Sequence, residues 1–115
     1  MSTPDPDFTR FAETGDAAAF RAVVEGHLSM IHAVAWRQLG EHSHLAADVA
    51  QGVFTRLARV ARGLPRDVVI AAWLHRQAVR LAIDSVRAET RRRTRESTAA
   101  MLHSRADDSQ APPSE

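Results

Sequence analysis

The segment that decides the fold of this chain is Ala72–Arg95, which reads AWLHRQAVRLAIDSVRAETRRRTR. Residues three or four apart share one face of a helix, because each residue turns the chain by about 100°. By that spacing, one face carries Trp73, Arg76, Arg80, Asp84, Arg87 and Arg91. A second face carries the apolar stripe Ile70, Leu74, Ala78 and Leu81. The segment is therefore predicted to be an amphipathic helix, with one side in a helical core and a basic side toward an anionic partner.

The rest of the chain also has helical patterning. It contains no tyrosine, and no segment alternates between apolar and polar residues, which argues against strands. The pattern predicts a short helix over Asp7–Thr14, a long helix from an N-cap at Asp16 to Gly40, and a third helix that starts near a cap at Ser43. The third helix ends before Pro65, which cannot donate a backbone hydrogen bond. The predicted fold class is all-α, a compact bundle of three long helices plus a short N-terminal helix.

Apolar stripes define the expected core of the second and third helices. The second helix carries Phe20, Val24, Leu28, Ile31, Ala35 and Leu39. The third carries Leu45, Val49, Val53, Leu57 and Val60. A polar ridge beside the third stripe consists of Asp48, Gln51 and Thr55. Beside this ridge, a glycine at position 52 lowers helix stability by about 1 kcal/mol relative to alanine. Two interpretations fit Gly52: it lets another helix approach closely, or it is a tolerated surface residue.

The length of 115 residues indicates one domain. We expect a disordered N-terminus over residues 1–7 and a helical domain over residues 8–103. Residues 104–115 read SRADDSQAPPSE and have no apolar periodicity, so they are predicted to form an acidic, flexible linker or tail.

The charge is distributed unevenly along the chain. Residues 1–55 contain three arginines and seven acidic residues, whereas residues 56–95 contain eleven arginines and three acidic residues. This polarity predicts one basic binding surface on an otherwise ordinary domain. All 15 basic residues are arginine. Two explanations fit the absence of lysine. Arginine forms bidentate hydrogen bonds with phosphates and guanine edges better than lysine does, or a GC-rich genome favours arginine codons.

The basic face itself has two interpretations. Arginines that follow an exposed aromatic ring suit a surface that holds a phosphate backbone and stacks a base, which favours nucleic acid. Alternatively, Asp84 pairs with Arg80 and Arg87 on a solvated face, and Trp73 belongs to the core. The surplus of arginines over carboxylates favours an anionic partner, either a nucleic acid or an acidic protein surface.

Several classes of function find no support in the sequence. There is no cysteine, and His27, His32, His42 and His44 lack the spacing of metal ligands, so neither a metal nor a cofactor is expected. No glycine-rich phosphate loop or nucleophile motif is present, so no enzymatic activity is predicted. No apolar run approaches the roughly 18 residues of a membrane span, and the acidic N-terminus is unlike a signal peptide. We therefore expect a cytoplasmic protein without membrane contacts.

Three sequence blocks, in order and at matching spacings, resemble region 2 of bacterial RNA polymerase sigma factors of the sigma-70 family, in the extracytoplasmic-function (ECF) group. Gly15–Phe20 resembles the opening GDxxAF, and Ala46–Phe54 is similar to the helix AEDxxQxxF. Ala72–Arg87 resembles WLxxxxxNxxxDxxR. The resemblance covers about residues 8–96. Ala47 stands where the group usually has an acidic residue, and Arg80 where it usually has asparagine.

The resemblance implies a DNA-binding transcription factor that regulates transcription initiation. Region 2 binds core RNA polymerase through the clamp coiled coil of the largest subunit, which implies polymerase contacts at Asp48, Gln51, Phe54 and Thr55. The loop at about Arg62–Val68 would capture a base flipped from the non-template strand of the promoter minus-ten element, and the next helix would hold that strand during melting. The implied DNA-binding residues are Arg62, Arg66, Trp73, Arg76, Gln77, Arg80, Arg87 and Arg91.

The resemblance also implies further partners and a longer protein. An anti-sigma factor is a candidate partner. Such factors normally continue into a second helix-turn-helix domain, which is absent from this chain, so we expect the chain to be a fragment. The alternative function is an arginine-faced helical protein-interaction module that docks an acidic protein or RNA.

Overall fold

A computed structural model of the chain describes residues 4–110, with side chains described as far as Ala106. The described residues form four α-helices: α1 (Pro6–Thr14), α2 (Ala17–Leu39), α3 (Ala46–Val60) and α4 (Ile70–Gln110). Short 3-10 turns at Gly40–Leu45 and Ala61–Gly63 follow α2 and α3. No strand occurs among residues 4–110, which confirms the predicted all-α class.

The ends of the first two helices follow from local chemistry. The side chain of Asp5 accepts hydrogen bonds from the backbone N–H groups of Asp7 and Phe8, at 2.9 and 3.1 Å, and so caps α1. Within the segment 1–7 that was predicted to be disordered, Asp5 is thus the N-cap of α1 and the helix starts at Pro6, while residues 1–3 lie outside the described part of the chain. The predicted cap at Asp16 is confirmed, because its carboxylate accepts from the N–H of Ala18 at 3.0 Å.

Glycine ends both helices because the chain must adopt a positive φ there. Gly15 has a φ of 74° after α1, and Gly40 has a φ of 58° after α2. The predicted cap at Ser43 is wrong, since α3 begins at Ala46 without a side-chain cap. The reason is the intervening 3-10 turn, in which His42 is buried and leaves helical geometry, with a φ of −96° and a ψ of 25°.

The chain divides into two compact units, the first ending at Ser85 and the second beginning at Val86, within α4. The core of the first unit takes residues from all four helices. Its largest fully buried side chains are Phe8, Val23, Ile31, Val53, Leu57 and Leu74. On α4 the predicted stripe is buried at Ile70, Leu74 and Ala78, but Ala82 takes the place of Leu81, which is half-buried.

The predicted core stripe of α2 is only partly correct. Ile31, Ala35 and Leu39 are buried as expected, whereas Leu28 is 45% exposed and Phe20 and Val24 are half-buried. The apolar surface of α2 is wider than the core requires, because Val23 and Val34 also face inward. The remaining apolar side chains of this helix are therefore left at the surface.

The second unit contains the rest of α4. Of the predicted tail at residues 104–115, residues 104–110 continue α4 as helix, and residues 111–115 lie outside the described part. Ion pairs one turn apart support this helix: Arg92 pairs with Glu89 and Glu96, and Arg93 pairs with Glu89. The hydrogen bond with Glu89 raises the pKa of Arg92 above its ordinary value.

Candidate functional site

An open groove of about 1090 Å³ lies between α2 and α3 in the first unit. We call it the α2–α3 groove. From α2 it is lined by Phe20, Val24, Leu28, Ser29, His32, Ala33, Trp36 and Arg37. From α3 it is lined by Ala47, Gln51, Phe54, Thr55 and Ala58. The lining contains one arginine, Arg37, and no acidic residue, so the groove offers mainly apolar surface to a partner.

Large apolar side chains of α2 are exposed in this groove. Trp36 is 55% exposed and Leu28 is 45% exposed. An apolar patch that remains exposed on a folded domain marks a surface for a partner, and tryptophan is the residue most often found at the centre of such contacts. Trp36 and Leu28 are therefore candidate contact residues.

The α2 side of this groove is not predicted by the sequence pattern. The pattern predicts Leu28 in the core and gives no role to Trp36, whereas both are exposed. The signal that could have found them is a second stripe at four-residue spacing, beside the one that enters the core. The members of that second stripe are Phe20, Val24, Leu28, His32 and Trp36, and all of them line the groove.

The α3 side of the groove contains most of the predicted polymerase contacts. Phe54 is only 6% exposed and contributes to the groove wall, whereas Gln51 and Thr55 are exposed. Thr55 donates its hydroxyl hydrogen to the carbonyl oxygen of Gln51 at 2.8 Å, so only its oxygen is free to accept from a partner. The structure thus brings three of the four predicted residues to one groove.

Asp48, the fourth residue, is the member of the polar ridge that does not line this groove. Asp48 instead lines a smaller groove of about 510 Å³, together with Gln51, Gly52, Thr55, Arg56, Arg59, Val60 and Leu81. Gln51 and Thr55 line both grooves and form the wall between them. Leu81 of α4 reaches this smaller groove, where its Cδ1 lies 3.5 Å from the position that a Cβ on Gly52 would occupy. A helix does approach Gly52, but a methyl group fits at ordinary contact distance.

The loop between α3 and α4, residues 64–69, is held by Arg66. The Nη1 of Arg66 donates to the carbonyl oxygen of Leu64 at 2.8 Å and to those of Ala61 and Arg62 at 3.3 Å. Its Nε lies 3.7 Å from Oε1 of Glu13. The guanidinium that was predicted to bind DNA is therefore engaged with the backbone of its own loop.

A shallow pocket of about 470 Å³ lies at the end of this loop, and we call it the loop pocket. It is lined by Pro4, Asp5, Pro6, Asp7, His27, Val68, Val69, Ile70 and Ala71. Nδ1 of His27 donates to the carbonyl oxygen of Val23 at 2.7 Å. In the neutral ring that hydrogen bond leaves Nε2 as an acceptor. The pocket thus combines apolar walls with hydrogen-bond acceptors.

Of the two interpretations of Trp73, the structure favours the core position over the base platform. Trp73 is 8% exposed and belongs to the core, so its ring cannot stack on a base. The helical spacing is compatible with either position, because Trp73 lies at the edge of the apolar sector that contains Ile70 and Leu74. Arg76 and Arg80 are exposed as predicted, and Gln77 is half-buried beside them.

The arginines of α4 differ in how far they are paired. Within the described part of the first unit, neither Arg76 nor Arg80 forms an ion pair, and Asp84 does not pair with Arg80. These two guanidinium groups, which we call the arginine face, are therefore available to an anionic ligand, as is exposed Arg62 in the turn before the loop. In the second unit, Arg87 and Arg91 are also exposed.

Two further searches of the described residues were negative. No group of three or more histidine, cysteine or acidic residues is placed to hold a metal ion. None of the helices in residues 4–110 has an apolar stretch of the length that a membrane crossing requires.

Comparison with known proteins identifies one family. The family model described as Sigma-70 region 2 matches residues 23–92. Searches of curated proteins and of solved structures gave no significant match. The matched segment includes the polar ridge, the loop and the arginine face, together with most of the α2–α3 groove.

Proposed function

This chain belongs to the sigma-70 region 2 family, and we propose that two of its surfaces divide the work of an ECF sigma factor. Region 2 of this family is a non-catalytic domain that binds core RNA polymerase and promoter DNA in transcription initiation. We assign polymerase binding to the α2–α3 groove and its polar ridge. We assign recognition and melting of the minus-ten element to the loop, the loop pocket and the arginine face. Since this work takes place in the cytoplasm, that is the proposed location.

The observation that carries the polymerase assignment is the exposed apolar groove beside the polar ridge. Trp36 and Leu28 leave apolar surface open to solvent, and Gln51 stands at the rim with an amide that can both donate and accept. A groove of this kind fits an amphipathic helix, whose apolar side chains enter while its polar edge meets the rim. In this proposal the occupant is a helix of the clamp coiled coil of the largest polymerase subunit. An anti-sigma factor that blocked polymerase would need to cover the same surface.

The DNA assignment is supported by the unpaired arginines and by the chemistry of the loop pocket. Arg62, Arg76 and Arg80 are exposed around the loop and the start of α4, where they can hold phosphates. In the loop pocket, Val68 and Val69 give apolar walls, and the carboxylate of Asp7 gives an acceptor for an exocyclic amine. Strand separation would follow from binding, because an unstacked base gains pocket contacts while arginines hold the backbone.

The test of polymerase binding is titration of this chain with the isolated clamp coiled coil. We expect Trp36→Ala and Gln51→Ala to weaken binding, the first by roughly tenfold or more, because truncation of a central interface tryptophan costs about 2 kcal/mol. Asp48→Arg tests the member of the ridge that does not line the α2–α3 groove. Gln38→Ala, an exposed position of α2 outside the groove lining, is the matched control and should bind as the unmodified chain does. A folded chain that fails to bind would favour a module for an acidic protein or RNA instead.

A further inference from the structure

The α3–α4 loop has few hydrogen bonds of its own. The N–H of Leu64 donates to the carbonyl of Ala61 at 3.2 Å, and the N–H of Val68 donates to the carbonyl of Pro65 at 3.1 Å. At the other end, the carbonyl of Val69 accepts from the N–H of Trp73 in α4 at 3.0 Å. Pro65 and Asp67 are exposed. A loop with so few internal bonds samples many conformations unless a side chain restrains it.

Arg66 supplies that restraint from within the loop. Its side chain turns back and donates to three carbonyl oxygens, those of Ala61 and Arg62 in the 3-10 turn that follows α3 and that of Leu64 at the start of the loop. The last carbonyls of a helix have no partner within the helix, and a cation there is favourable. The contact with Glu13 also ties the loop to α1. The side chain of Arg66 is 37% exposed, so it is drawn onto the protein rather than extended into solvent.

A phosphate contact by Arg66 would have to break these bonds. The guanidinium would leave the carbonyl of Leu64, whose hydrogen bond is part-buried, and this loss would offset much of the gain from the phosphate. Arg62 and Arg76, by contrast, are exposed and need give up no contact recorded in the described residues. Arginines around the loop therefore have two different roles.

We propose that Arg66 is a positioning residue that holds the α3–α4 loop in its base-capturing conformation, and that it does not contact the phosphate backbone. This inference rests on the proposed function of the loop. A loop that is already ordered loses less conformational entropy when a base enters the loop pocket, so Arg66 should strengthen contacts with bases and leave contacts with phosphates unchanged.

The experiment compares two single strands of twelve nucleotides that carry the same number of phosphates. The first strand is a homopolymer of deoxyadenosine, deoxycytidine or thymidine, whichever the unmodified chain binds most tightly. The second strand is fully abasic. The ratio of their dissociation constants reports base capture, and the salt dependence of either constant reports the number of phosphates contacted. The variant Arg66→Met removes the guanidinium and keeps the apolar stem, and Arg76→Met is the matched control.

We expect Arg66→Met to reduce the preference for the base-containing strand by about threefold to tenfold, with the abasic affinity and both salt slopes unchanged. Arg76→Met should weaken both strands together and lower the salt slope by about 0.7, the value for one phosphate of a single strand. Hydrogen exchange without DNA should show faster exchange of the Val68 amide in Arg66→Met and no change in Arg76→Met.

Three results would overturn these statements separately. A lower salt slope in Arg66→Met would make Arg66 a phosphate contact. A base preference that survives in Arg66→Met, with Val68 still protected, would overturn the positioning role alone. An unmodified chain without base preference would overturn base capture itself, and the positioning role with it. If Arg66→Met does not fold, Glu13→Gln is tested in the same assay, because it removes the ion pair between Glu13 and Arg66. An unchanged preference for the base-containing strand in that variant would count against the proposal.

Discussion

Replacement of Gly52 by alanine should stabilise this protein. Gly52 lies in mid-α3 and does not have a positive φ, so alanine can adopt its conformation. In a helix interior, alanine is favoured over glycine by about 0.8–1.0 kcal/mol. The added Cβ would lie 3.5 Å from Cδ1 of Leu81, which is an ordinary contact and adds no clash. The free energy of unfolding should therefore rise by about 1 kcal/mol, which corresponds to a higher Tm by about 4–8 °C in a domain of this size.

Urea and thermal unfolding followed by circular dichroism would measure this change. Gly26→Ala is the matched control, since Gly26 lies in mid-α2 and a Cβ there would meet no atom within 4 Å. It should show the gain in helix propensity alone. Gly40→Ala should be destabilising by about 1–3 kcal/mol, because Gly40 has a φ of 58° and a ψ of −119°. If Gly52→Ala lost stability while Gly26→Ala gained it, α3 and α4 would have to pack more closely than described.

Three other outcomes follow from burial, capping and charge. Trp73→Ala should lower the free energy of unfolding by about 3–5 kcal/mol, whereas Trp36→Ala should change it by less than about 0.5 kcal/mol in urea titrations; equal losses would contradict the assignment of Trp36 to an open groove. Asp16→Ala should cost about 1 kcal/mol in the same assay, and a neutral result would mean that α2 is capped by other groups. Single-strand affinity should fall steeply with salt, and Arg76→Met plus Arg80→Met should lower the slope by about 1.4 in total; an unchanged slope would place the strand elsewhere.

The helices were predictable where short-range chemistry decides them. A carboxylate such as Asp16 can cap only the turn that follows it, and Gly40 ends α2 because few other residues adopt its backbone conformation. The start of α3 was not predictable from the same rules. The 3-10 turn depends on the burial of His42 against other parts of the chain, and Ser43 then has no helix end to cap.

The candidate site was predictable on α3 and much less so elsewhere. Helical spacing places Gln51 and Thr55 together, whatever packs beside them. It cannot decide whether Leu28 or Trp73 faces the core, because that depends on which side of each helix has a neighbour. The role proposed for Arg66 could not be predicted from the sequence for another reason. The carbonyl oxygens that accept its hydrogen bonds come together only when the loop has folded into its conformation.

The wall that Gln51 and Thr55 form between the two grooves has a thermodynamic consequence. A ligand that draws the Gln51 side chain into one groove withdraws it from the other, so the two sites are linked sites rather than independent ones. Such linkage is reciprocal. If a ligand in the larger groove changes the affinity of the smaller groove for its ligand by some factor, a ligand in the smaller groove changes the affinity of the larger groove by the same factor. Substitution of Gln51 therefore reports on both grooves together, whereas a residue that lines one groove alone, such as Leu28 on one side or Arg59 on the other, reports on a single groove.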